Sequence, residues 1–211
     1  MTVGIYIIII LILGYFSVYL RERYLNLKWL VPFTWLGIFI HESAHALFCL
    51  LTGGKVINFH VTAREGYITH FRPRVPVIGP LVTAIAPLIF SLIIIGILNH
   101  FWLKTSLGVT SFNIWENFIN VVYALNPLTW PAWVLLIIFL NIGVMMGPSV
   151  EDLKSIWLLV LLSFFIHSQS LAQVLSLVIA MIIVNVILFL LILLIKYFFQ
   201  RRKGYYRVSH Y

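Results

Sequence analysis

The sequence predicts an all-α polytopic membrane protein of about six transmembrane segments with a small membrane-associated β-hairpin. Three observations predict it. Of 211 residues, 62% are hydrophobic and only 9% are charged, which is more apolar surface than a soluble domain of this size can bury. Long apolar stretches recur, several near the roughly 20 residues that a bilayer requires. Between the second and third of them, 53–74 is polar and alternates like two short strands. The chain reads as one domain over 1–211, without internal repeats or low-complexity segments.

The first segment, 3–20, carries no charge and is closed by Arg21-Glu22-Arg23. It lacks a basic leader and a small-residue cleavage site, so it is expected to be a retained helix and not a removed signal peptide. The second segment covers 28–52. Gly53-Gly54 then ends a helix. Val56 to Thr62 reads as a strand with Ile57, Phe59 and Val61 on one face, Arg64-Glu65-Gly66 as a turn, and Tyr67 to Phe71 as the returning strand. An isolated hairpin is marginal in water, so this one should lean on the membrane or on the helices. A short solvated loop is the plain alternative. The third segment is 76–103. Phe112, Trp115, Phe118, Tyr123 and Trp130 mark 104–130 as an interfacial stretch with aromatic anchors. The fourth and fifth segments, 131–147 and 153–167, are short and meet at Gly147-Pro148-Ser149, where proline breaks a helix. Interrupted apolar segments mark binding sites, because irregular backbone at membrane depth must be buried or line a cavity. The sixth segment is 171–199.

The net charge is +8. Its basic residues sit at segment ends and in loops, which fits bilayer topology and anionic headgroups and not nucleic acid. The lone cysteine, Cys49, excludes an internal disulfide.

His41-Glu42-Ser43-Ala44-His45 lies within the second apolar segment. Residues i and i+4 share a helix face, so two imidazoles converge on one point, as a tetrahedral zinc ion requires. Glu42 beside them is placed to take a proton from a zinc-activated water. Ionisable groups are costly in hydrocarbon, so such a cluster is a functional site by default. Cys49 is one turn further along. The rise of a regular helix keeps it from joining both histidines on one ion, and it reads as a packing residue.

A catalytic zinc takes three protein ligands and leaves one position open. Glu151, Asp152, His60, His70, His100 and His167 are the candidates for the third. Counting crossings returns 147–152 to the side of the zinc motif, so Asp152 reaches the histidines at comparable depth, whereas His100 and His167 belong opposite. His70 and Glu151 are the next candidates. Asp152 also reads as a first-turn carboxylate of the fifth helix, and the two roles are compatible. Asn141, just before the break, reads either as a hydrogen-bond donor to substrate or to a developing oxyanion, or as an interhelical hydrogen bond.

These residues resemble the site-2 protease family of intramembrane zinc metalloproteases. The resemblance rests on His41-Glu42-xx-His45 in a membrane helix, the Gly53-Gly54 hairpin region, Gly79-Pro80 with Ala86-Pro87, and a later interrupted helix bearing an aspartate. It covers a core of about 28–167, and the chain looks like a minimal or divergent member. The family's later motif reads N-x-x-P followed by L-D-G. Asn141, Pro148 and Asp152 match it at altered spacing, with Leu153 after the aspartate. The resemblance implies that Asp152 is the third ligand, and it implies an endopeptidase whose partner is a transmembrane helix of another membrane protein. The alternative is a non-proteolytic zinc-binding scaffold or transporter. Six spans place both termini with the hairpin. Lys55, Arg64, Arg72, Arg74, Arg201, Arg202, Lys203 and Arg207 gather there against Arg21, Arg23, Lys28 and Lys104, so the positive-inside rule makes that side of the cell membrane cytoplasmic. A five-span count, with 131–167 as one kinked crossing, separates the termini.

Overall fold

The computed structural model describes residues 2–25, 30–62, 65–71, 74–76, 78–105, 107 and 111–207, with side chains to 199. Lys28, Arg64 and Arg72 of the charge count lie outside the described residues, as do the side chains of the tail bases. The protein is mostly helical. Its elements are α1 (Val3–Tyr24), α2 (Val31–Leu51), β1 (Lys55–Val61), β2 (Gly66–Phe71), α3 (Ile78–Leu98), α4 (Ile114–Ala124), α5 (Trp130–Met146), α6 (Val150–Ser163) and α7 (Gln169–Arg207).

Local chemistry explains the boundaries. Pro32 opens α2, where its missing N–H is not needed. Gly53 closes it at φ 77°, a conformation that glycine adopts without strain. Gly53 N–H then bonds Leu50 O at 3.0 Å and Gly54 N–H bonds Cys49 O at 2.8 Å, which satisfies carbonyls at the helix end. A five-residue π-helical turn, Asn99–Leu103, extends α3. Asn113 caps α4 by accepting the Trp115 N–H. This amphipathic helix leaves Trp115 and Tyr123 exposed.

The strands pair as an antiparallel hairpin, from Lys55 opposite Phe71 to Val61 opposite Gly66. A register shift between Val56 and Asn58 leaves Ile57 without a partner, so the expected common face of Ile57, Phe59 and Val61 is interrupted there. The hairpin does lean on a helix. It lies along α2, with Phe59 edge-on to Phe39. Its Gly66 end packs so closely on Ile38 and Glu42 that a Cβ there would lie 2.6 Å and 2.7 Å from their side chains. A free loop is excluded.

The helix count differs from expectation. Four helices are long and apolar enough to cross a membrane, and α5 with α6 makes a fifth when the pair, bent by 75°, counts as one. With 17 and 14 residues, neither member reaches the roughly 20 needed alone. Six separate spans are therefore not reproduced. The termini follow suit. Val3 N–H bonds Ile166 O just before α7, and Lys196 Nζ donates to Tyr24 O at the far end of α1. Thus α1 and α7 run side by side in one direction, with Val3 and Lys196 at opposite ends of the pair. Ser17 of α1 donates to Asn185 of α7, whose Nδ2 reaches Phe139 O of α5 at 2.6 Å. The core lies where α1, α5 and α7 meet, around Ile10, Phe139, Ile142 and Ile182.

Candidate metal centre

Helical spacing puts His41 and His45 on one face of α2, both buried, with Nε2 atoms 3.1 Å apart. The third member comes from the break. The bend at Gly147-Pro148 delivers the N-terminus of α6 to this face, so Asp152 Oδ1 lies 3.4 Å from His45 Nε2 and Oδ2 lies 3.8 Å from His41 Nε2. Ligand atoms of the three all fall within 4.8 Å of one another, and the trio could hold a metal ion.

Neighbouring bonds fix the orientation of this set. Asp152 Oδ2 accepts the Ser149 N–H at 2.9 Å and the Ser149 hydroxyl at 2.7 Å, while Ser149 Oγ accepts the Asp152 N–H at 3.1 Å. That is a capping box, with Asp152 in place of the usual Glu or Gln. It leaves Oδ1 directed at His45, so the first-turn role and the ligand position coincide. His45 Nδ1 lies 2.9 Å from Thr83 O. A carbonyl only accepts, so Nδ1 carries the proton and the neutral ring presents a lone pair at Nε2. Among the described residues, His41 Nδ1 is buried without a hydrogen-bond partner. Two imidazole nitrogens and a carboxylate oxygen thus converge on one point, which is the donor set of a cation site.

Glu42 sits beside this trio and faces a cavity of about 200 Å³, lined also by Arg21, Glu22, His41, Glu65 and Ser149. Asp152 forms part of the wall of a second, apolar cavity of about 230 Å³ among Ile10, Pro87, Ile156 and Leu175. Gly147 and Pro148 line both cavities, so the metal face lies between a polar space and an apolar one.

The other candidates stand apart. Glu151 is exposed and pairs with Lys154 at 2.7 Å. His60 stacks on Tyr67, and His70 Nδ1 meets its neighbour's carbonyl, Phe71 O, at 3.1 Å. His100 and His167 are exposed. Cys49 is buried beside the hairpin base, 3.9 Å from Phe71 O, in the packing role expected of it.

Asn141 is fully buried. Its Oδ1 accepts Gly37 N–H at 2.7 Å, and its Nδ2 donates to Phe33 O at 2.6 Å and Ile137 O at 2.7 Å. Phe33 O and Gly37 N are i,i+4 partners, so the amide is spliced into the α2 backbone, one turn before His41. This is the interhelical alternative. Gly37 permits the approach, since a Cβ there would lie 2.7 Å from Asn141 Oδ1. Asn141→Ala should destabilise the protein by about 1–3 kcal/mol, because buried backbone groups lose their partner. Thermal unfolding in detergent checks this, and an unchanged midpoint would show that the splice contributes nothing.

Sequence reasoning missed Ser149, Thr83 and Gly37. Only the first had a local signal, the S-x-x-D pattern of Ser149 to Asp152. Comparison with protein-family models, curated proteins and solved structures finds no match.

Proposed function

We propose that this protein is an intramembrane zinc endopeptidase that cuts transmembrane segments of other membrane proteins. The observation that carries the reading is the delivery of buried Asp152 to His41 and His45 midway along an apolar helix, with Glu42 beside them facing a polar cavity. The resemblance to site-2 proteases noted from the sequence points the same way.

When bound at this trio, zinc would polarise the scissile carbonyl and acidify a water. Glu42 then does the proton work. It accepts a proton as the water oxygen adds to the carbonyl carbon. It returns that proton to the amide nitrogen as the C–N bond breaks, so water is consumed and a carboxylic acid and an amine result. The polar cavity supplies the water. A substrate helix has its carbonyls bonded internally and must unwind before attack. The hairpin beside Glu42 offers an edge to which an unwound segment can add as a strand. The test is direct. Purified chain reconstituted with a membrane-embedded substrate should cleave it, stop with a chelator, and resume with zinc. Full zinc loading with no cleavage of any transmembrane substrate would leave a metal-binding scaffold or transporter.

We further infer five crossings of the cell membrane, with α5 and α6 as one. Arg21, Arg23, Lys196 and the tail bases then share one end, and the positive-inside rule makes that end cytoplasmic, the reverse of the six-span assignment. Single cysteines at Thr2 and Ser209, probed on intact cells with an impermeant thiol reagent, should be labelled at Thr2 and protected at Ser209. Equal labelling of both would sink the five-crossing arrangement. The reverse pattern would keep five crossings and overturn the charge-based side.

A further inference from the structure

Pro87 stands inside α3. An interior proline removes the hydrogen bond that the carbonyl four residues back would accept, and its ring crowds that carbonyl. The residue four back is Thr83. Its carbonyl oxygen is the group that meets His45 Nδ1 at 2.9 Å. The Thr83 hydroxyl is engaged elsewhere, donating to Gly79 O at 2.9 Å. Thr83 and Pro87 are both buried on the side of α3 that faces the centre of the bundle.

We propose that Pro87 is a positioning residue of the metal centre. By withholding an N–H, it leaves the Thr83 carbonyl free for His45. That bond holds His45 in the tautomer with the proton on Nδ1 and turns the ring so that Nε2 faces His41 and Asp152. Groups that orient a metal-ligating histidine through its other nitrogen govern affinity for the ion. Here the orienting group is a main-chain carbonyl, and what makes it available is the absence of a donor one turn further along. The inference rests on the reading of His41, His45 and Asp152 as ligands, but not on any peptidase activity.

Alanine at position 87 restores the N–H, and alanine is by far the better helix former. A proline that served only packing or bending would be missed in the metal-free fold. A proline that frees a carbonyl would be missed in metal binding alone. Purified full-length wild type, Pro87→Ala, and a chain carrying lactate at 87 (an ester linkage with neither N–H nor ring) are compared by zinc competition against a chromogenic chelator. Metal-free thermal unfolding is measured alongside.

Pro87→Ala should bind zinc about 10–100-fold more weakly and unfold, metal-free, at the wild-type temperature or above. The ester should recover wild-type affinity. Undiminished affinity in Pro87→Ala overturns the inference. So does an ester as weak as the alanine variant, since the ring and not the missing donor would then matter. Should the alanine chain fail to fold, the zinc-loaded wild type decides by itself. ¹⁵N spectra of the His45 ring must show the proton on Nδ1, and a proton on Nε2 overturns the inference. Failure of the wild type to bind zinc refutes instead the ligand reading beneath it.

Discussion

Glu42→Gln is expected to retain the helical bundle and metal binding at the trio and to lose the proposed peptide-bond cleavage. Glutamine matches glutamate in shape, so the contact with the Gly66 end of the hairpin survives. What it lacks is the ability to accept the proton of the attacking water. Loss of general acid–base catalysis alone is worth about 10²–10⁴ in rate. Glu42 is not one of the three converging groups, so zinc content should be unchanged. Turnover of a reconstituted transmembrane substrate, measured beside elemental analysis of the same preparation, checks both halves. A variant that cleaves at the wild-type rate removes Glu42 from the mechanism. A variant that loses zinc makes Glu42 part of the metal site instead.

The second large effect concerns the metal. Wild type should hold about one zinc per chain, and His41→Ala or His45→Ala should reduce this to background after dialysis against a weak chelator, since a closed set of three ligands loses a donor. Asp152→Ala should do the same and should also loosen the start of α6, because the capping box with Ser149 disappears. Ser149→Ala separates these roles. It keeps the carboxylate but removes a hydroxyl 2.7 Å from Oδ2, so affinity should drop only about 10–100-fold. Asp152→Ala retaining full zinc and full activity would refute its assignment as the third ligand. Neither Glu151 nor His70 belongs to the converging group found among the described residues.

Much of this centre could be read from the chain. His41 and His45 needed only helical periodicity. Asp152 needed a count of crossings, and the structure does not reproduce that count of six. Whether Gly147-Pro148 separates two spans or bends one, the aspartate that follows meets the zinc motif at the same depth. Hydropathy marks where apolar segments stop but carries no angle, so the 75° bend, and with it the parity of the termini, was not legible. Asn141 left two readings open, because a buried amide is equally fit to bind substrate or backbone until its neighbours are known. Its bonds to Phe33 and Gly37 join positions about a hundred residues apart in sequence. The partnership of Thr83 with His45 is hidden for another reason: the accepting atom is main chain, identical at every residue, and only the proline four positions later singles it out.

The pairing of α1 with α7 bears on how the protein is made. Helix α1, made before the other described helices, carries Ser17, which in the finished molecule donates to Asn185. Asn185 lies in α7, the last of the described helices to be synthesised. Until then the serine lacks this acceptor. Biogenesis therefore closes like a ring. The final helix bonds to the first and, through Phe139, to α5 just ahead of the break. That closing event adds to the hold that Asn141 already gives α5 on α2, and so to the frame of the segment that presents Asp152 to the histidines. A nascent chain stalled before α7 thus carries both histidines and Asp152 without the α7 bond that braces α5 ahead of the break.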